Sequence, residues 1–408
     1  MATIKPFKAL RPKAEYAEAV SCVPYDVLTK AEARRYVGEN KLSFLRVTRP
    51  KSDFPKGKVP PWDEVVEHAK QNYRSFIDKG YLFRDPEDAI YIYRLSKNGH
   101  SQTGVVACLS LDEYEQEVIK RHENVRPEKV DERAAHIISL RAQTGLIFTA
   151  FRSTDKVRKL IDDAVDGEVL YDYVAPEGVR QQIWRCKDGG DLVAAFREVP
   201  SIYIADGHHR IEAARIARFE LERQENEPAP NADYNFVLAA MFPADELRIL
   251  PYNRVVRDLN GMTIEEFLAK SGEHFDISDA DSATPSEHGE ILAYVDHKWY
   301  DLRFKADHMR DRDPVHNLDV SILQDFLLGP VLGIDDPRTS ERIEFISGAR
   351  GTEELERLVD EGDAAAAFSL YATRMDDLLE VSDMGEVMPP KSTWFEPKLK
   401  DGLLVHEI

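Results

Sequence analysis

The apolar run Ser201 to Ala205 passes without a linker into Asp206-Gly207-His208-His209-Arg210 and then into a long segment ending near Glu222. Few folds accept that order. A short strand must end at Asp206, turn sharply at Gly207, and open a helix at His208. Glycine suits the junction because it tolerates backbone angles that other residues avoid, and because it lets a ligand come close. Within the helix, Ile211, Ala214, Ala217 and Leu221 fall on one face, which predicts packing on a sheet. A helix start leaves N–H groups unpaired and carries positive partial charge, so it favours an anion. Arg210 adds a fork for phosphate oxygens. His208 and His209 add donors that titrate near neutral pH. Asp206, at the strand end, is placed to hold a metal ion or to orient a histidine.

The residues alone leave a plainer reading open, in which Asp206 merely caps a helix whose histidines face solvent. Two histidines and an arginine in one turn behind an apolar strand favour the functional reading. A zinc pair is the weaker alternative, since adjacent histidines point apart and lack the i, i+4 spacing of helical zinc ligands.

The surrounding chain mixes strands and helices, so the class is α/β or α+β. Ala89–Leu95 and Thr103–Leu109 flank the turn Asn98-Gly99, a hairpin signal. Helices are expected over Pro127–Gln143, Thr154–Ala164, Asp191–Arg197 and Leu318–Leu328, and strands over Ile147–Phe151, Ile183–Arg185, Tyr234–Phe242 and Leu247–Val256. Ile291–Val295 and Trp299–Phe304 suggest a second hairpin, and Gln224–Asp233 a loop.

With 54 basic and 74 acidic side chains in 408 residues, the net charge is −20. That argues against nucleic acid as the main partner, because phosphate backbones reward clustered Lys and Arg. Cys22, Cys108 and Cys186 are isolated, which suits a reducing compartment. The first residues lack the apolar run of a secretion signal, and no stretch approaches the roughly 18–20 apolar residues of a membrane span. A cytoplasmic protein with a small-molecule substrate, and neither nucleic acid nor membrane as partner, is expected.

Two further constellations carry chemistry. In Arg121-His122-Glu123 a carboxylate beside a histidine and an arginine suits a general base, although a solvated charge run reads the same way. Lys391-Ser392-Thr393, with Lys398 close behind, offers a cation and hydroxyls in a proline-braced loop. It lacks the glycines of a P-loop, and an ordinary terminal loop remains the alternative. Pro24-Tyr25-Asp26-Val27 reads as pocket lining or as a turn before a helix. Arg254, in Asn253-Arg254-Val255-Val256, reads as a surface cation at a strand end.

Taken together, Pro24-Tyr25-Asp26-Val27, Arg121-His122-Glu123, Asp206 to Arg210, Asn317-Leu318-Asp319 and Met388-Pro-Pro-Lys-Ser-Thr resemble, over nearly the whole chain, the family called domain of unknown function 1015. More distantly, His122-Glu123 followed by Asp206 to Arg210 is similar to the ParB/sulfiredoxin superfamily, and within it to the free-serine kinases. The resemblance implies a nucleotide phosphate cradled by the string Asp206 to Arg210, and Glu123 as base toward a serine hydroxyl. Arg152 to Pro200 looks like an insertion relative to those kinases. Sulfiredoxins carry a reactive cysteine where His208 and His209 stand, so sulfinic-acid repair is not expected.

The combined expectation is a ParB/sulfiredoxin-like core over 121–250, an N-terminal α/β region over 1–120, and a C-terminal α+β region over 251–408 whose end returns to the site. The expected activity moves a phosphoryl group from ATP, ADP or pyrophosphate to a small hydroxylated acceptor, best L-serine, with Mg²⁺ at Asp206. Glu123, Asp206 and His209 are the expected catalytic residues. Gly207, His208, Arg210, Lys391, Ser392 and Thr393 would bind phosphate, and Tyr25, Asp26 and His122 the acceptor. A nucleotide-responsive binding protein and a metal-dependent hydrolase using His208, His209 and Asp206 are the alternatives.

Overall fold

The structure is a computed structural model, and it describes residues 1–186, 189–225, 229–308 and 313–408. It divides into two compact units. The first comprises Met1–Arg121, Val125–Leu247 and Pro397–Ile408; the second comprises His122–Asn124 and Arg248–Glu396.

The first unit is built on a nine-stranded mixed sheet. Its strands are β1 (Ile4–Lys5), β2 (Ile90–Lys97), β3 (His100–Ser110), β4 (Ile119–Lys120), β5 (Ile147–Phe151), β6 (Glu168–Val174), β7 (Arg180–Cys186), β8 (Ile202–Asp206) and β9 (Phe236–Pro243). The order across the sheet is β4-β8-β5-β9-β3-β2-β7-β6, with β1 alongside β3. The hairpin turn at Asn98 and Gly99 has φ of 49° and 77°, as a two-residue turn between twisted strands requires. The strands expected in 1–120 and in 121–250 thus share one sheet instead of forming separate bodies. The Arg152–Pro200 stretch supplies β6 and β7, a hairpin at the sheet edge; of these the sequence had shown only the middle of β7.

Two helices matter for the site. Pro127–Leu140 (α1) starts with proline at its first position, where the missing N–H costs nothing. It stops three residues before the expected end, because Arg141 turns left-handed (φ 52°) and Ala142–Gln143 pairs with the C-terminal strand Val405–Glu407. His208–Gln224 (α2) buries Ile211, Ala214, Ala217 and Leu221, the face read from its spacing. Residues of α1, α2 and the strands, among them Val130, Ala134, Ile147, Phe151, Ile204 and Ala239, join in one apolar core. Residues 226–228 of the expected Gln224–Asp233 loop lie outside the described residues.

The second unit carries a six-stranded sheet of β10 (Tyr252–Val256), β11 (Phe275–Asp279), β12 (Glu290–Val295), β13 (Lys298–Phe304), β14 (Ile343–Ser347) and β15 (Ala366–Leu370), in the order β11-β13-β12-β15-β10-β14. The strand expected over Leu247–Val256 is broken in two at Pro251, which has no N–H for a ladder. Ile249–Leu250 pairs with Trp394–Phe395, and β10 sits inside the larger sheet. That placement overturns the surface reading of Arg254, which is only 3% exposed. The helix expected over Leu318–Leu328 is an α-turn, Asp319–Leu323, continued by a π-helical turn, Gln324–Leu328.

Candidate phosphate-binding turn

The site begins where β8 ends. The register of β8 against β5 slips between Ile204 and Asp206. A bulge of this kind re-aims the next side chain, here that of Asp206. Gly207 follows with φ 103°, and a Cβ there would come within 3.3 Å of the Ile147 backbone. Glycine is therefore favoured twice: the left-handed backbone strains any side chain, and Ile147 would have to give by a few tenths of an ångström. The helix α2 starts one residue later, so its first amides fan out from the turn.

Each polar side chain of the turn is held. The Lys398 ammonium donates to Asp206 Oδ2. Burial works against the Asp206 charge, but Lys398 outweighs it and holds the carboxyl below its ordinary range. His209 Nε2 accepts a hydrogen bond from the Arg126 backbone N–H at 3.0 Å, which puts the proton of the neutral ring on Nδ1. His208 is buried, at 4% exposure. The Arg210 fork meets Asp401, Nη1 to Oδ1 and Nη2 to Oδ2, both at 2.9 Å. Burial opposes the Arg210 charge, and Asp401 more than offsets it, keeping the guanidinium protonated. Gly145 passes directly beside this pair: a Cβ there would lie 1.5 Å from Arg210 Nη1.

Behind the turn, Tyr25 stacks with two cations. The Arg133 guanidinium lies 4.5 Å and that of Arg210 5.4 Å from its ring centre. Burial, with Asp26 adding to it, pushes the Tyr25 phenol up to about 12, against Arg133 and Arg210. Asp26 itself is exposed. Arg133 donates to the Thr48 carbonyl at 2.9 Å, and among the described residues no carboxylate pairs with it. Burial lowers its affinity for the proton. Tyr25, Arg133, His136, Gly145, Arg210 and Asp401 enclose a cavity of about 30 Å³, room for about one water. Its two arginines and one aspartate leave a net positive charge next to the helix start.

The structure therefore brings Tyr25 to Arg210, and His209 to the backbone of Arg126. Sequence reasoning missed Asp401, Gly145 and Arg133. Asp401 is one acid among 74, and only the return of Pro397–Ile408 into the first unit gives it a role.

In the second unit, His122 and the Lys391–Thr393 loop meet. The His122 carbonyl accepts from the Met388 N–H at 2.8 Å, and Thr393 Oγ1 lies 3.5 Å from His122 Nε2. Ser392 spends its hydroxyl on the Pro389 carbonyl at 2.6 Å. Lys391 is exposed, has φ 59°, and holds its ammonium 5.5 Å from the Tyr252 ring centre. Glu123 is half-buried. Asp319, from the Asn317-Leu318-Asp319 motif, fastens a loop by accepting from the Gly289 N–H at 2.7 Å.

Among the described residues no group of three or more His, Cys, Asp or Glu is placed to hold a metal ion. Asp206, the expected ligand of Mg²⁺, is one carboxylate already shared with an ammonium. That donor set does not suit a protein-held divalent ion, which competes poorly beside a positive charge. No helix among the described residues is long and apolar enough to cross a membrane.

The model of the family described as protein of unknown function, DUF1015, matches residues 4–321. The chain belongs to the DUF1015 family. No curated protein matches this DUF1015 member. Among solved structures it is similar to a conserved hypothetical protein from Pyrococcus furiosus, with 12% identity and a TM-score of 0.35 over 74% of this chain and 95% of that one. It is also similar to a free serine kinase mutant in complex with AMP, with 14% identity and a TM-score of 0.36 over 74% and 92%. A third is SbnI with C-terminal truncation from Staphylococcus aureus, with 10% identity and a TM-score of 0.41 over 74% and 87%. All three TM-scores are below 0.5, so the reading of the DUF1015 site rests on this chain's own residues.

Proposed function

We propose that the chain is a phosphotransferase that moves a phosphoryl group from a nucleotide or pyrophosphate to a small hydroxylated acceptor, with free L-serine the favoured one. The observation that carries the reading is the turn at Gly207. A strand runs into a left-handed glycine, a 17-residue helix opens there, and the cations of Arg133, Arg210 and Lys398 stand around it with the carboxylates of Asp26, Asp206 and Asp401. A helix start with three cations beside it favours a phosphate. The resemblance of Asp206 to Arg210 to the free-serine kinase string supports the same reading.

In the proposed reaction the acceptor hydroxyl gives its proton to the Glu123 carboxylate as its oxygen bonds to phosphorus. The bond from phosphorus to the donor's bridging oxygen breaks, and the electron pair leaves with the shortened donor. The backbone at Gly207 and His208 and the charge of Arg210 stabilise the transferring group, as positioning and electrostatics do generally for this chemistry. Mg²⁺ enters with the donor's phosphates as part of the substrate. His209 holds the backbone of Arg126, at the start of α1. Lys391 and Thr393 are assigned to the donor phosphates, Ser392 to holding their loop, and Tyr25, Asp26 and His122 to the acceptor.

One observation favours a second reading, a nucleotide-responsive binding protein. The Arg210 fork is already bidentate on Asp401, so an incoming phosphate that competes with Asp401 would loosen the C-terminal segment. Turnover separates the two readings: a kinase consumes donor only when an acceptor is present, whereas a switch shows no acceptor dependence.

A further inference from the structure

The second unit has a cavity of its own, of about 260 Å³, lined among others by Arg254, Val320, Gln324, Leu328, Asp335 and Pro389. Arg254 projects from the interior strand β10, is 97% buried, and stacks 4.7 Å from the Phe345 ring centre. Its hydrogen bonds run only to carbonyl oxygens, those of Tyr252, Pro390 (3.4 Å) and Lys391 (3.0 Å). Among the described residues no carboxylate pairs with it. A charge this deeply buried is ordinarily paired. Burial lowers its pKa to about 9, so it stays cationic at neutral pH. Asp335 lines the same cavity with an exposed carboxylate that forms no ion pair among the described residues, whereas its neighbour Asp336 is taken by Arg338 at 2.9 Å. The lining also takes Gln324 and Leu328 from the π-helical turn Gln324–Leu328, a distortion that recurs at functional sites.

We propose that this cavity binds a zwitterionic ligand of amino-acid size, its carboxylate on the Arg254 fork, its ammonium on Asp335, and its side chain against Val320, Leu328 and Pro389. The size fits: 260 Å³ equals about nine waters of liquid and lies just under the roughly 300–1,000 Å³ of pockets for drug-sized molecules. The charge fits as well. A simple anion would satisfy Arg254 but leave Asp335 unmet, the Asp336–Arg338 pair being neutral, whereas a zwitterion satisfies both ends with no net charge. The cavity borders the loop of Lys391 through Pro389 and Pro390, but none of the observations behind the inference uses the Gly207 turn.

The test is calorimetric titration of the full chain with the proteinogenic L-amino acids. Each one that binds is compared with the amine lacking its carboxylate and the acid lacking its ammonium. At least one amino acid binds, and both truncated forms bind at least about tenfold more weakly. Arg254→Lys keeps the charge but loses the fork, and Asp335→Asn removes the exposed carboxylate without touching the core. Each weakens binding by at least about tenfold. Asp335→Asn keeps the test decisive if Arg254→Lys fails to fold. Absence of binding by every amino acid, or unchanged affinity in Asp335→Asn, overturns the proposal.

Discussion

Arg210 and Asp401 face each other fork to fork at 2.9 Å on both arms, 191 residues apart in the chain. The pair ties the turn that opens α2 to the C-terminal segment, and Gly145 leaves the room it occupies. Removing one member of a buried pair strands the other charge. Asp401→Asn therefore lowers unfolding free energy by about 3–5 kcal/mol in urea denaturation. Gly145→Ala, whose methyl would sit on the guanidinium, produces a loss of similar size. A stability change under about 1 kcal/mol in both variants would mean the pair is not formed.

Phosphate affinity separates structural from binding roles at the same residue. Arg210→Ala in folded protein weakens nucleotide binding by about 1.5–3 kcal/mol or more, the worth of hydrogen bonds to charged groups. Calorimetry with ADP reads this directly. Equal affinity in the folded variant places the phosphate elsewhere.

Gly207 permits a sharper contrast. Gly207→Ala forces a side chain into a left-handed backbone at about 1–3 kcal/mol and sets its methyl against Ile147. Gly190→Ala is the control: nothing lies within 4 Å of its Cβ and it sits in the helix Gly189–Phe196, so stability rises by about 0.5–1 kcal/mol. Thermal melts of the two variants should move in opposite directions.

Much of this arrangement could be read from the chain. Ser201 to Ala205 is apolar throughout and Gly207 follows at once, so strand, turn and helix were legible locally. The same holds for the hairpin at Asn98-Gly99, where turn chemistry fixes the register. Pairings set by long-range return were not legible. Nothing around Asp401 distinguishes it from other acids, and Arg254 looks like a surface cation until β15 and β14 flank its strand. The helix after Pro127 was seen, but its end was misjudged, because Arg141 turns left-handed to let Ala142–Gln143 pair with Val405–Glu407, residues some 260 positions later.

His136 gives a pH signature. It is buried, and its Nε2 donates to the Val47 carbonyl at 2.8 Å. Burial, with the charge of Arg133 adding to it, depresses its pKa from 6.5 to about 3, against the Val47 hydrogen bond. The folded state thus binds the proton less well than the unfolded state. Its contribution is full above pH 6.5 and is lost as pH falls from there toward about 3. Between pH 6.5 and 5 this residue alone accounts for a fall of about 1.6 kcal/mol. His136→Gln retains a donor for Val47 and should flatten that part of the stability–pH curve; an unchanged slope rejects the assignment.

The central claim is phosphoryl transfer with Glu123 as base, and phosphorus NMR tests it most directly. Full-length protein is incubated with ATP, ADP or pyrophosphate, with and without L-serine and other small alcohols. A new phosphomonoester signal should grow only when an acceptor is present. Glu123→Gln keeps the size and reach of the side chain while removing the basic carboxylate. It should leave donor binding nearly intact and slow that signal by about a hundredfold or more. No acceptor-dependent product from any donor would contradict phosphoryl transfer, and near-wild-type turnover in Glu123→Gln would contradict the role of Glu123.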